Sequence, residues 1–81
     1  MEQNEITKRF FVAVDSLKDS GRFEGGLKAF CERHNLNRTY LSSARNNPSI
    51  GIRPETIAAL CNDYKEVSLD YIMLGTGTVF K

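Results

Sequence analysis

Residues 27–45 read LKAFCERHNLNRTYLSSAR, a pattern that predicts two short helices joined by a tight polar turn. Phe30 and Cys31 follow Leu27 by three and four positions, which puts all three on one helical face. Asn35 interrupts that face, and asparagine is among the few residues that accept a left-handed backbone at low cost. Leu36 then supplies a buried anchor. Asn37 can cap the next helix through its side-chain oxygen, and Leu41 and Ala44 continue the inward face three residues apart. The outward face of the second helix is left with Arg38, Thr39, Ser42, Ser43 and Arg45.

Short hydrogen-bonding groups flanked by cations suit a helix that reads base edges in a major groove. The expectation is DNA binding by a helix-turn-helix spanning about residues 27–46. The stretch resembles the motif of the lambda-repressor/Cro-like family of bacterial and phage regulators. Cys31 takes the place of its small inward residue, Asn35 that of its turn residue, and Leu36 and Leu41 those of its two hydrophobic anchors. Residues 67–77, VSLDYIMLGTG, are similar to the family's closing helix. Together the two segments bring most of residues 6–77 within the pattern. The chain departs from it where Gly25, Gly26 and Leu27 stand in place of a common Thr-Gln pair. It departs again at His34 and Asn35, where an aliphatic residue and glycine are usual, and in the longer loop NPSIGIRP.

The remaining segments read as helices that could complete a bundle. Ile6, Phe10, Val14 and Leu17, widened by Phe11 and Ala13, predict an amphipathic helix over 5–18. Asp19-Ser20-Gly21 ends it, and Arg22-Phe23-Glu24-Gly25-Gly26 connects it to the motif. Asn46-Asn47-Pro48 stops the third helix, because the residue before proline is pushed out of helical geometry. Pro54 opens a fourth helix, where its missing N–H costs nothing; Ile57, Leu60, Cys61 and Tyr64 line the inner face. Ser68 caps a fifth, with Asp70 near its positive end. That helix is expected to bury Leu69, Ile72 and Met73 and to stop at Gly75, leaving a tail at 75–81. No strand and no repeat is evident. The expected fold is all-α: one domain over 1–81, a compact lambda-repressor-like bundle of about five short helices.

Eighty-one residues lie near the lower limit for a single core. No apolar run approaches a membrane span, and EQNEITKR at the start lacks the apolar segment of a signal peptide. A cytoplasmic location and no membrane partner are therefore expected. Cys31 and Cys61 fall inside predicted helices and read as small buried hydrophobes rather than a disulfide. The net charge of +1 hides an asymmetry. Residues 22–53 carry six bases against two acids, a balance of +4, while the flanking segments are acidic. Such a concentration is the electrostatic footprint of a small nucleic-acid binder, or else an ordinary solvated surface.

The expected base contacts are Asn37, Arg38, Thr39, Ser42 and Ser43, with Asn37 able to serve as cap, contact or both. Arg45, Asn46 and Asn47, at the exit of the helix, are expected on phosphates, with Lys28 and Arg53 as further phosphate candidates. Tyr40 lies between the faces, to pack at the edge or bond a phosphate. Cys31, His34 and Cys61 are too few for a structural zinc site, which takes four ligands. No metal, cofactor or small-molecule ligand is expected. No nucleophile–base arrangement or phosphate loop points to an enzyme. The function expected is sequence-specific binding of double-stranded DNA by a repressor-like regulator of phage or mobile-element type. The alternative is a protein-interaction module, adaptor or antitoxin-like, on the same helical fold. The family resemblance implies a homodimer. Tyr71, Leu74, Val79 and Phe80 are its expected interface, because Phe80 has no intrachain partner suggested by the sequence.

Overall fold

Ile6, Phe10, Val14 and Leu17 repeat at helical spacing, and their row drives the longest helix, α1 (Gln3–Asp19). The computed structural model describes residues 3–23 and 25–81; Glu24, which the sequence places in the connector, lies outside the described residues. Phe10, Val14 and Leu17 are fully buried and Ile6 and Phe11 nearly so. Thr7 is buried with them, on the row that continues through Phe10, Phe11 and Val14. The helix closes on Gly21, whose φ of 76° is left-handed. Gly21 N–H donates to the Lys18 carbonyl and Arg22 N–H to that of Leu17, at 3.1 and 3.0 Å. These two bonds satisfy carbonyls that a helix end would otherwise leave open.

Among the described residues four further helices follow: α2 (Gly26–His34), α3 (Arg38–Asn46), α4 (Pro54–Asp63) and α5 (Leu69–Leu74), with a 3-10 turn at Pro48–Ile50. Gly25 carries the chain into α2 at φ 74°, where a Cβ would lie 2.5 Å from that of Ala29. The class is all-α, as the periodicity predicts. One continuous core joins Phe10, Phe30, Leu41, Leu60, Val67 and Ile72, all fully buried. Phe23 packs on Phe30 and on Tyr64 from the far side, with ring centroids 6.1 and 5.5 Å away. No helix among the described residues is long and apolar enough to cross a membrane.

The turn between α2 and α3 has the form expected of it. Asn35 has φ 55° and ψ 45°, and is the one non-glycine residue with positive φ among those described. Its N–H donates to Glu32, and Leu36 N–H donates to Cys31 at 2.8 Å, the same double closure that ends α1. Because glycine adopts this geometry without Cβ strain, Asn35→Gly should leave stability unchanged or raise it slightly. Asn35→Val should lower it by about 1–2 kcal/mol, the cost of forcing a β-branched residue into the left-handed region. Urea midpoints of the two variants check this; equal midpoints would mean that the turn relaxes out of the left-handed form.

The C-terminal end differs from expectation in two ways. Leu69 is 46% exposed, not buried. It is the first residue of a six-residue helix, and its side chain leans back over the preceding turn, off the end of the helix. Of the three residues expected inside, Ile72 is fully covered and Met73 partly. The tail also folds back. Val67 and Phe80 form an isolated antiparallel bridge, Ser68 N–H donates to Val79 and Lys81 N–H to Glu66. Phe80 therefore has intrachain partners: it packs on the core, and the Arg22 guanidinium lies 5.1 Å from its ring centroid. At the other end of α5, Arg9 donates to the carbonyls of Ile72 and Met73, a cation set against a negative helix terminus.

Candidate nucleic-acid interface

Leu41 and Ala44 are fully buried and pull one side of α3 into the core. Apart from half-buried Tyr40, the rest of the helix is therefore turned out as a single face. Arg38, Thr39, Ser42, Ser43, Arg45 and Asn46 are all exposed, and the helix contains no acidic residue. Arg38, Ser42 and Arg45 fall at i, i+4 and i+7, one row along the helix. Asn37 caps it: its Oδ1 accepts the N–H groups of Thr39 and Tyr40 at 2.9 and 3.2 Å. Among the described residues its amide nitrogen has no partner, so both its donors remain for an outside acceptor.

Arg38 extends from the first turn without an ion pair or hydrogen bond to any described residue. It borders a shallow groove of about 320 Å³ whose other walls are Lys28, Cys31, Glu32, Asn35 and Leu36. Burial pushes the Cys31 thiol up from its ordinary value, and the nearby Arg38 charge opposes that shift. Cys31 and Cys61 are both free thiols. Cys61 is also pushed up by burial, with Lys81 opposing. Cys31 is buried and Cys61 partly so, and a raised thiol is a poorer nucleophile.

Several expected phosphate contacts already have partners within the chain. Arg45 makes a two-pronged pair with Asp15 of α1, at 3.0 and 3.3 Å, and its guanidinium lies 4.6 Å from the Phe11 ring centroid. The Asn47 side-chain oxygen accepts from the N–H and hydroxyl of Ser49, ordering the 3-10 turn. The Tyr40 hydroxyl donates to the Gly51 carbonyl at 2.8 Å and accepts from Arg53 N–H at 3.0 Å. Lys28, Asn46 and Arg53 remain exposed.

The positive segment is likewise partly neutralised from outside. Arg22 pairs with Glu66, Arg33 with Asp63 and Arg45 with Asp15. Among the described residues, Lys28, Arg38 and Arg53 are its cations without a carboxylate partner. The three acids concerned gave no signal in the sequence, since each lies about thirty or more residues from its arginine and no local spacing links them. His34 is accounted for in the same way. Its Nε2 sits 2.8 Å from the Asp63 carboxylate and its ring packs at a tilt on Phe30, with centroids 5.0 Å apart, so it faces α4.

Asp63 thus holds the C-terminal ends of α2 and α4 together. Partial burial would raise its carboxyl, but hydrogen bonds from His34 and Arg33 outweigh that and hold it below the usual range. The bond to Asp63 correspondingly raises Arg33. A carboxyl depressed in the folded state contributes stability above its unfolded value of roughly 4, and that contribution is lost as pH falls through the folded value. Asp63→Asn should lower the urea midpoint at pH 7 and narrow the gap to wild type toward pH 3. A gap that stays constant over that range would remove Asp63 from the acid-sensitive part of the fold.

Of the four residues expected at a dimer interface, Tyr71, Val79 and Phe80 pack against the chain's own core, while Leu74 is 59% exposed. Comparison with protein-family models, with curated proteins and with solved structures finds no match to this chain.

Proposed function

We propose that this chain binds double-stranded DNA sequence-specifically, as a repressor-like regulator of phage or mobile-element type with a lambda-repressor-like fold. The observation that carries the reading is the outward face of α3: Arg38, Thr39, Ser42 and Ser43 exposed together, without a carboxylate, on a helix anchored by Leu41 and Ala44. In this reading α3 enters the major groove, Arg38 and the capping residue Asn37 offer donors to base edges, and α2 crosses the backbone. Arg53 and Lys28 meet phosphates. Arg45 does so while held by Asp15, for a guanidinium has five donors and the pair uses two.

A single recognition helix spans only a few base pairs, so the working species is a homodimer on a two-fold symmetric site. Exposed Leu69 and Leu74, at 46% and 59%, favour a second reading as a protein-interaction module that uses α5. Selection of bound duplexes from a random pool separates the two. A recovered two-fold consensus, with affinity that falls as salt rises, supports DNA recognition. Recovery of no consensus leaves the interaction module as the better account.

A further inference from the structure

Tyr40 carries more bonds across the chain than any sequence pattern at its position suggests. It is half-buried, one turn into α3, and its hydroxyl is engaged on both sides. The proton goes to the Gly51 carbonyl, and the oxygen accepts from Arg53 N–H. The Arg53 guanidinium lies 5.3 Å from the centroid of the same ring. Arg53 is also the cap residue of α4, its carbonyl accepting from Thr56 and Ile57 N–H at 3.0 and 3.3 Å. The exit of the 47–53 loop and the start of α4 are thus fastened to α3 through one phenol.

We infer that Tyr40 is a positioning residue: it fixes the exposed Arg53 cation at a set distance from the base-reading face of α3, so that one phosphate contact is made in register with the bases. This role rests on the duplex-binding reading. With its hydroxyl engaged, Tyr40 acts through Arg53 and not as a phosphate contact. Without the phenol, the loop exit and the start of α4 would be free to shift against α3, carrying Arg53 with them, and ordering them would oppose binding. Clamped, the guanidinium is ordered before the duplex arrives.

The test uses wild type, Tyr40→Phe, Arg53→Ala and the double variant, titrated at several salt concentrations with the duplex that wild type selects. Tyr40→Phe removes one oxygen and keeps the ring, and circular dichroism should report unchanged helix. Each single variant should weaken binding roughly fivefold, the worth of one hydrogen-bonded contact. Each should also flatten the slope of log affinity against log salt by about 0.9, the share of one phosphate. The double variant should be no weaker than Arg53→Ala, because the two changes remove one contact. The Arg53 amide should exchange faster in Tyr40→Phe. A Tyr40→Phe slope equal to wild type, or losses that multiply in the double variant, would overturn the positioning role while leaving DNA binding intact. A wild-type chain with no salt-sensitive duplex binding would overturn both.

Discussion

Leu41→Ala is expected to lower the stability of the fold by about 2–5 kcal/mol, the range for truncating a fully buried leucine. For a chain of 81 residues the whole stability is roughly 4–12 kcal/mol, so the variant should sit near its unfolding threshold. The size of the effect follows from how α3 is held. Within this helix Leu41 and Ala44 alone are fully buried, and its other side is polar and exposed. Removing three carbons of Leu41 opens a cavity under the helix that no neighbour on α3 can fill. The melting temperature should fall by at least about 8 °C, given roughly 4–8 °C per kcal/mol for a domain this small. Ser42→Ala and Ser43→Ala, on the exposed side, should stay within about 0.5 kcal/mol of wild type. Differential scanning calorimetry of the three variants decides it. A Leu41→Ala midpoint within two or three degrees of wild type would mean that α3 is not docked through this residue.

What the sequence made legible is what local chemistry determines. Ile6, Phe10, Val14 and Leu17 could be placed in the core because a helical row needs only its own spacing to be seen. Asn35 and Asn37 could be placed at the turn and the cap because both roles are met within four residues. The outward face of α3 follows once its inward face is fixed. What escaped the sequence is carried by contacts between distant segments. Nothing near Arg45 points to Asp15, and nothing near Tyr40 points to Gly51 and Arg53. Charge balance taken segment by segment therefore overstates the open positive surface, since three of its six bases are met by acids from outside the segment, on α1, on α4 and in the turn before α5.

Phe80 shows the same limit from the other side. Its sequence neighbours offer it no partner, yet its backbone pairs with Val67 and its ring meets Arg22. The tail is thereby part of the fold, and Leu69 and Leu74 are the more exposed apolar side chains beside it, while Tyr71, Val79 and Phe80 are partly covered. Thr7 marks a smaller gap. A periodicity of apolar residues alone does not register a hydroxyl on the core row, although threonine can bond back along its own helix when buried.

Arg38→Ala should relax base preference at one position of the selected site and weaken binding there by about 1–3 kcal/mol, the discrimination carried by one bidentate base contact. Binding to unrelated duplexes should change far less. The fold itself gives a second, independent expectation. Arg38 is the first residue of α3, whose first turn holds no acidic residue. A cation there faces the positive end of the helix dipole, which disfavours it by about 0.3–1 kcal/mol. Among the described residues it gains no ion pair in return. Fold stability is therefore not what calls for arginine at this position, and Arg38→Ala should melt at or slightly above the wild-type temperature. Lost specificity with unimpaired stability separates a base-reading residue from a structural one, since a structural residue would lower both. Repeating the duplex selection with the variant, alongside its thermal melt, checks the two halves together. An unchanged consensus would remove Arg38 from base recognition, and a lower melting temperature would show that it holds α3 in place through a contact of its own.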